Sequence, residues 1–229
     1  MRSVKAFQIK ICGITRAQEA LWAASAGADA VGLNFYSRSP RYIWPEDARQ
    51  LIGLLPPEVV KVGVFVNTEP GEICQLFDQL GLDWIQLHGD EPPMLLEQLG
   101  ARPVIRAFRL GPDGLGPVLD YLERCRYLGR MPDWILLDGY RPGEYGGTGV
   151  VANWEVCQQY AAMAGMPPAV LSGGLTPANV GEAIRTVRPM AVDTASGVEL
   201  SPGRKDPSLV AEFIRAAREA FREIRQKAE

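Results

Sequence analysis

The sequence predicts one α/β domain, a (β/α)8 or TIM barrel, and two observations carry this prediction. Eight short apolar runs alternate with eight longer amphipathic segments along 229 residues, which is the order that a barrel of this size requires. The apolar runs carry few charges, as is typical of parallel strands covered on both faces. A doubly wound open sheet is the alternative fold, but no G-x-G-x-x-G fingerprint follows the first run. No linker or low-complexity tract divides the chain, so we expect a single domain over residues 1–229.

The predicted strands are short apolar runs bounded by turn-forming residues. They lie at residues 6–11, 30–35, 60–65, 84–87, 104–108, 134–137, 169–171 and 190–192. The predicted helices have apolar residues at helical spacing, and several begin near a proline, whose missing amide is no loss in a first turn. They lie at residues 17–26, 45–54, 70–80, 92–99, 115–125, 154–163, 177–187 and 208–227.

Composition excludes several classes of function. The net charge of −3 leaves no basic footprint for nucleic acid, so we expect no nucleic-acid partner. No run approaches the roughly 18 apolar residues of a membrane span, and the amino terminus lacks a signal-peptide core, so we expect a soluble cytoplasmic protein with no membrane partner. The four cysteines have neither zinc spacing nor the density of a disulfide scaffold. The single histidine, His88, excludes a multi-histidine metal centre, and we expect no metal.

Polar residues collect at the predicted carboxyl ends of the strands, where α/β barrels place their active sites. Cys12 follows the first strand, His88 the fourth, Asp138 the sixth and Asp193 the eighth, and Arg41 lies in the loop after the second. Each has an ordinary structural explanation when taken alone: a buried thiol, a core-edge imidazole, a turn cap or a solvated cation. Their joint placement on one face of the barrel favours a binding or catalytic site.

Two glycine-containing loops follow the last two predicted strands, where barrels often bind phosphate. One contains Gly173 and Gly174, and the other contains Ser196 and Gly197. Glycine lets backbone amides approach an anion closely, and a following helix adds a favourable dipole. Either loop alone is an ordinary turn signal. The pair in adjacent positions predicts a phosphate clamp.

At these residues the chain resembles the phosphoribosylanthranilate isomerases of tryptophan biosynthesis. The resemblance covers nearly the whole chain, and the order and spacing of its motifs are specific. The motifs are KICGIT at 10–15, NFYSRSPRYI at 34–43, VGVFVN at 62–67, QLHGDE at 86–91, LLD at 136–138, EYGGTG at 144–149, LSGGLTPANV at 171–180, VDTASGVE at 192–199 and PGRKD at 202–206. The chain departs from the family pattern in the loop at 139–143 and at Thr194-Ala195.

The resemblance implies an Amadori rearrangement of N-(5-phosphoribosyl)anthranilate to 1-(2-carboxyphenylamino)-1-deoxyribulose 5-phosphate, without a cofactor. It implies Cys12 as the general base and Asp138 as the general acid. It assigns Arg41 to the anthranilate carboxylate and Gly173, Gly174, Ser196 and Gly197 to the phosphate. His88 and Asp193 are expected to line the same pocket. The expected partner is a small phosphorylated substrate, and we expect a monomer or a homodimer.

Residue chemistry sets two conditions on the acid and the base. An exposed aspartate is ionised at pH 7 and cannot donate a proton, so Asp138 needs the desolvation that four preceding apolar residues predict. A free thiol is only a few per cent thiolate at pH 7, so Cys12 needs a neighbouring cation. Strand alternation puts Lys10 on the same side as Cys12, which makes Lys10 a candidate for that cation.

Two other functions fit part of this pattern. The related histidine-pathway isomerase performs the same chemistry on a substrate with two phosphates, but it carries aspartate at the position of Cys12. A non-catalytic barrel that binds phosphorylated metabolites would need Arg41 and the glycine loops, but neither Cys12 nor Asp138.

Overall fold

The barrel predicted by the alternation of runs is the observed fold. The structure, a computed structural model, describes residues 5–141 and 149–227; most of the EYGGTG motif, at residues 144–148, lies outside them. Eight parallel strands follow one another in chain order, and β1 pairs with β8 to close the barrel. The strands are β1 Ile9–Cys12, β2 Ala30–Asn34, β3 Val60–Phe65, β4 Trp84–Leu87, β5 Val104–Leu110, β6 Trp134–Gly139, β7 Ala169–Leu171 and β8 Ala191–Thr194.

A helix lies in each segment predicted to be helical. The helices are α1 Ala17–Ser25, α2 Pro45–Leu54, α3 Pro70–Leu80, α4 Leu95–Gln98, α5 Gly116–Tyr127, α6 Trp154–Ala161, α7 Val180–Val187 and α8 Pro207–Gln226. Two are shorter than predicted at their amino ends. The prolines at 92 and 93 precede α4 in a turn, and Asn179 accepts a hydrogen bond from the Thr176 amide in a turn before α7. No helix within the described ranges is long and apolar enough to cross a lipid bilayer.

Four strands, β1, β5, β6 and β8, end later in the chain than the apolar runs indicate, and three of them carry site residues. β1 ends on Cys12 itself. β6 continues through Asp138, which pairs in register with Arg109 of β5. β8 continues through Asp193, which pairs in register with Lys10 of β1. The polar residues end the apolar pattern but not the backbone ladder, because hydrogen bonding between strands does not depend on the side chain. Asp138 and Asp193 therefore lie within strands rather than in the loops after them.

An antiparallel hairpin after β8 was not predicted. It consists of β9 Glu199–Ser201 and β10 Arg204–Lys205. A short 3-10 turn at Ser196–Val198 connects it to β8. Its strands are too short for periodicity to show. The hairpin adds a wall beside the carboxyl end of the barrel.

Aromatic rings fill the amino-terminal end of the barrel interior. The ring of Trp134 lies 4.9 Å from those of both Phe7 and Trp84, measured between centroids. They belong to a buried cluster of alternate strand residues, separate from the larger core between strands and helices. This cluster forms an apolar plug at the amino-terminal end of the barrel interior. The polar inward-facing residues therefore lie at the carboxyl end.

Truncation of this plug is expected to destabilise the protein. Trp84 is fully buried, and its indole N–H donates a 2.8 Å hydrogen bond to the Lys5 carbonyl. We expect Trp84→Ala to lower the free energy of unfolding by about 3–5 kcal/mol, measured by urea denaturation. The control is Tyr127→Ala, because Tyr127 is 91% exposed and its truncation is expected to change stability by less than about 0.5 kcal/mol. Equal effects of the two substitutions would contradict a plug that stabilises the barrel.

Candidate active site

One cleft at the carboxyl end of the barrel brings the predicted site residues together. It is lined by Cys12 from β1, Asp138 from β6 and Asp193 from β8, and by Arg41 and His88 from the loops after β2 and β4. Gly173, Gly174 and Ser196 line it as well. Of the predicted residues only Gly197 is not among those lining this cleft; a side chain there would collide with the Leu175 carbonyl. Gly197 therefore permits close packing of two loops.

A chain of hydrogen bonds orients the Asp138 carboxyl group. One oxygen, Oδ2, lies 3.1 Å from Nε2 of His88, and the other, Oδ1, accepts a 2.8 Å hydrogen bond from the Gly139 amide. The opposite ring nitrogen of His88, Nδ1, lies 2.8 Å from Nε2 of Gln86. All three side chains are buried. If the Gln86 amide donates to Nδ1, the imidazole carries its proton on Nε2 and directs it at Asp138.

The Cys12 thiol lies beside a buried ion pair. Nζ of Lys10 is 2.9 Å from Oδ1 of Asp193, and neither side chain is more than 5% exposed. Burial raises the pKa of the Cys12 thiol above its ordinary value; the charges of Lys10 and Lys205 oppose that effect, and the charge of Asp193 adds to it. Burial also disfavours the charged form of Lys10, but attraction to Asp193 and Cys12 outweighs it and raises the pKa of Lys10. Lys10 is therefore an ammonium beside a neutral thiol.

A bidentate ion pair orients the Arg41 guanidinium. Its Nε and Nη2 donate to the two carboxylate oxygens of Glu199, over 2.9 and 2.8 Å. Oε1 of Glu199 also accepts a 2.7 Å hydrogen bond from Nζ of Lys205, which in turn donates to the Ala195 carbonyl. The Glu199 and Lys205 side chains are buried, on strands β9 and β10. The unpredicted hairpin thus fixes the orientation of a predicted site residue.

A hydrogen bond connects the end of β8 to the loop after β7. The Thr194 hydroxyl donates a 2.7 Å hydrogen bond to the Leu175 carbonyl, and the Asn179 side-chain amide donates to the Gly174 carbonyl. Gly173 has a φ of +83°, and a Cβ there would collide with the backbone nitrogen of Gly139. The loop after β7 therefore packs against the residue that follows Asp138, and glycine is required for that approach as well as for its φ.

Sequence reasoning missed Gln86, Glu199 and Lys205. The alternation of β4 puts Gln86 on the same face as His88, and this signal could have indicated Gln86. Nothing local to Glu199 indicates its contact with Arg41, which lies 158 positions away. Strand alternation made Lys10 a candidate neighbour of Cys12 without assuring the contact, and the structure brings the two side chains close together.

The fold and the cleft define a class of protein: a (β/α)8 barrel with a thiol and a carboxyl group in one cleft at the carboxyl end of its strands, beside two glycine loops. Residues 9–216 match the family model described as N-(5'phosphoribosyl)anthranilate (PRA) isomerase. The chain therefore belongs to the N-(5'-phosphoribosyl)anthranilate isomerase family, whose reaction is an Amadori rearrangement in tryptophan biosynthesis. The expected family is confirmed.

Individual relatives agree with the family model. An N-(5'-phosphoribosyl)anthranilate isomerase of Trichlorobacter lovleyi is 49% identical over 216 residues, covering 93% of this chain and 99% of the relative. The crystal structure of the Thermotoga maritima phosphoribosyl anthranilate isomerase is 41% identical, with a TM-score of 0.80, and the match covers 93% and 99% of the two chains. A second structure, of a phosphoribosyl anthranilate isomerase in complex with reduced 1-(o-carboxyphenylamino)-1-deoxyribulose 5-phosphate, is 40% identical with a TM-score of 0.77 and the same coverage.

Two glycine substitutions distinguish the stability cost of backbone strain from the additional cost of close packing. Gly165 has a φ of +76°, and a Cβ there would have nothing within 4 Å, whereas Gly173 has the same kind of φ and a backbone neighbour. We expect Gly165→Ala to cost about 1–2 kcal/mol of stability for its φ alone. We expect Gly173→Ala to cost more and to lower kcat, because Gly139 and the Asp138 carboxyl must shift.

The measurements are urea denaturation and steady-state turnover of both variants. Equal losses of stability, together with unchanged turnover in Gly173→Ala, would show that the loop after β7 does not position Asp138.

Proposed function

We propose that the chain catalyses the family's rearrangement of N-(5'-phosphoribosyl)anthranilate with Cys12 as the general base and Asp138 as the general acid. The single observation that supports these roles best is that both side chains line one cleft, on strands β1 and β6, with the glycine loops beside them. The activity itself follows from membership of the isomerase family. The assignment of roles rests on the position and chemistry of the two side chains.

The acid step opens the sugar ring. Asp138, acting as the general acid, donates a proton to the furanose ring oxygen, and the bond from C1 to that oxygen breaks. The nitrogen keeps its hydrogen, and its lone pair forms the C1=N bond of a protonated imine. Asp138 is 4% exposed, so bulk water is largely excluded from the position where this proton is transferred. His88, whose Nε2 lies 3.1 Å from Oδ2 of Asp138, holds the carboxyl group in place.

The base step moves a proton from carbon to sulfur. The Cys12 thiolate takes the proton from C2, and the electron pair of that bond forms C1=C2 as the C1=N pair returns to nitrogen, which gives an enolamine. The enolamine then becomes the ketone by loss of the C2 hydroxyl proton and gain of a proton at C1. The atoms and electrons balance without an external oxidant or reductant.

Two anchors at opposite ends of the substrate hold the sugar between Cys12 and Asp138. Arg41, which lines the cleft, pairs with the anthranilate carboxylate. The backbone amides of Gly173, Gly174 and Ser196 receive the phosphate. Positioning of this kind can supply a large share of rate enhancement.

Several expectations from the sequence stay predictions, among them a single domain over residues 1–229 and the absence of a nucleic-acid partner, a metal and a cofactor. A further two concern location and assembly. These are a cytoplasmic location and assembly as a monomer or a homodimer.

Replacement of either proton-transfer group is expected to abolish most of the turnover. We expect Cys12→Ser and Asp138→Asn each to lower kcat by about 10²-fold or more, because each removes one general acid–base group. Affinity for reduced 1-(o-carboxyphenylamino)-1-deoxyribulose 5-phosphate should change little. Turnover is followed by the loss of substrate fluorescence, and affinity by calorimetric titration.

Cys74→Ser is the matched control for the cysteine variant, since Cys74 lies on α3 and does not line the cleft. Near-normal kcat in Cys12→Ser would remove the thiol from the mechanism, and near-normal kcat in Asp138→Asn would remove the carboxyl group.

Replacement of the carboxylate anchor is expected to weaken binding more than chemistry. We expect Arg41→Ala to raise KM roughly tenfold or more, because charge-assisted hydrogen bonds contribute about 1.5–3 kcal/mol. Arg38→Ala, an exposed arginine of the same loop, should leave KM unchanged. An unaltered KM in Arg41→Ala, or an equal rise in both variants, would contradict the assignment of Arg41 to the substrate carboxylate.

A further inference from the structure

Lys10 is a fully buried cation that the proposed acid–base pair does not use. Its side chain has no solvent exposure, and its ammonium is 2.9 Å from the Asp193 carboxylate. Burying a charged pair costs free energy that the attraction between the charges often only offsets. An apolar pair would fill the same position in the barrel at no such cost, so stability alone does not account for the two charges.

The side chains of Lys10 and Cys12 both pack against Gly32 of β2. A Cβ on Gly32 would lie 2.6 Å from the Cys12 sulfur and 3.1 Å from Cε of Lys10. Gly32 pairs with Cys12 in the β1–β2 register, so the two side chains close over the space that its missing side chain leaves. Cε of Lys10 and the Cys12 sulfur therefore lie beside the same point of β2, and the ammonium next to that Cε is 2.9 Å from Asp193.

The charges around Cys12 act in opposite directions. A cation beside a thiol favours the thiolate, and an anion beside it favours the thiol. Lys10 on β1 and Lys205 on β10 are the cations, and Asp193 on β8 is the anion that bears on it. Among the described residues that line the cleft, the other charged or titratable groups are Arg41, His88 and Asp138.

We propose that Lys10 is a positioning residue for the base. Its ammonium stabilises the thiolate of Cys12. Asp193 holds the ammonium in place, and the negative charge of Asp193 partly opposes that stabilisation. The thiol proton leaves to solvent, and Lys10 stays protonated throughout because the pKa of its ammonium is raised. Lys10 and Asp193 thus set, with opposite signs, the pH at which Cys12 becomes a base. The catalytic consequence rests on the proposed function, in which Cys12 takes the C2 proton, whereas the effect on the thiol does not.

The test measures the thiol directly. The rate of iodoacetamide alkylation at Cys12 is followed against pH by peptide mass spectrometry, which resolves it from the other cysteines. Cys125 and Cys157 are buried, with pKa values raised to about 11 and about 12. The variants are Lys10→Met and Asp193→Asn. Lys61→Met is the matched control, because Lys61 is also ion-paired, at 3.0 Å from Asp83, and lies outside the cleft.

At pH 7 we expect alkylation to slow by about tenfold in Lys10→Met, the effect of one unit of pKa. We expect it to speed up severalfold in Asp193→Asn, and to match the parent protein in Lys61→Met. The limiting rate at high pH should be the same in all four proteins. A purely structural role would loosen the site and raise the limiting rate in both site variants, and that result would overturn the proposal.

An unchanged or faster rate in Lys10→Met would also overturn it. If Lys10→Met does not fold, Asp193→Asn decides alone, since an unchanged or slower rate there contradicts the proposal. The pH profile of kcat, measured in parallel, separates this proposal from the assignment of Cys12. Alkylation shifts of the expected sign without matching shifts in kcat support the role of Lys10 at the thiol and remove Cys12 as the base.

Discussion

Pairing of β1 with β8 is the interaction on which the rest of the structure depends. The ladder is short, and its register puts Lys10 beside Asp193, 183 positions apart in the chain. A parallel strand at an open edge would leave its amides and carbonyls unpaired, so closure satisfies the backbone and creates the site at once. Because parallel strands all end on one side, closure also brings the inward-facing side chains at the strand ends together around the same cleft.

The barrel interior is divided between an apolar end and a polar end. Aromatic rings fill the amino-terminal half, and buried charged or polar side chains fill the half toward the cleft. In these dry surroundings an ion pair or hydrogen bond acts more strongly than it does in water, and an unpaired charge costs more. The side chains of the site are therefore held in defined pairs: Lys10 with Asp193, and His88 with Asp138.

The loops and the hairpin after β8 supply contacts that orient the side chains of the site. In the hairpin, Glu199 pairs with Arg41 and is itself held by Lys205. The loop after β7 packs against the peptide that follows Asp138. These contacts connect the ends of β2, β6, β7 and β8. The orientation of the site is consequently a property of the assembled rim rather than of any single loop.

The sequence by itself determined the fold class, the order of the elements and most members of the cleft. Alternation of apolar runs with amphipathic segments is a local property, and parallel strands buried on both faces show it strongly. The motifs around Cys12, Asp138 and the glycine loops also indicated the family, which the comparisons confirmed. Alternation within β1 put Lys10 on the same side of the strand as Cys12 and made it a candidate neighbour.

The tertiary structure alone decided which charges meet. It paired Arg41 with Glu199, Lys10 with Asp193 and His88 with Asp138, and it extended β6 and β8 through their aspartates. Periodicity reports which face a side chain occupies but carries no information on its neighbour across a closed sheet. That neighbour is set by register and by barrel closure, which join residues far apart in the chain.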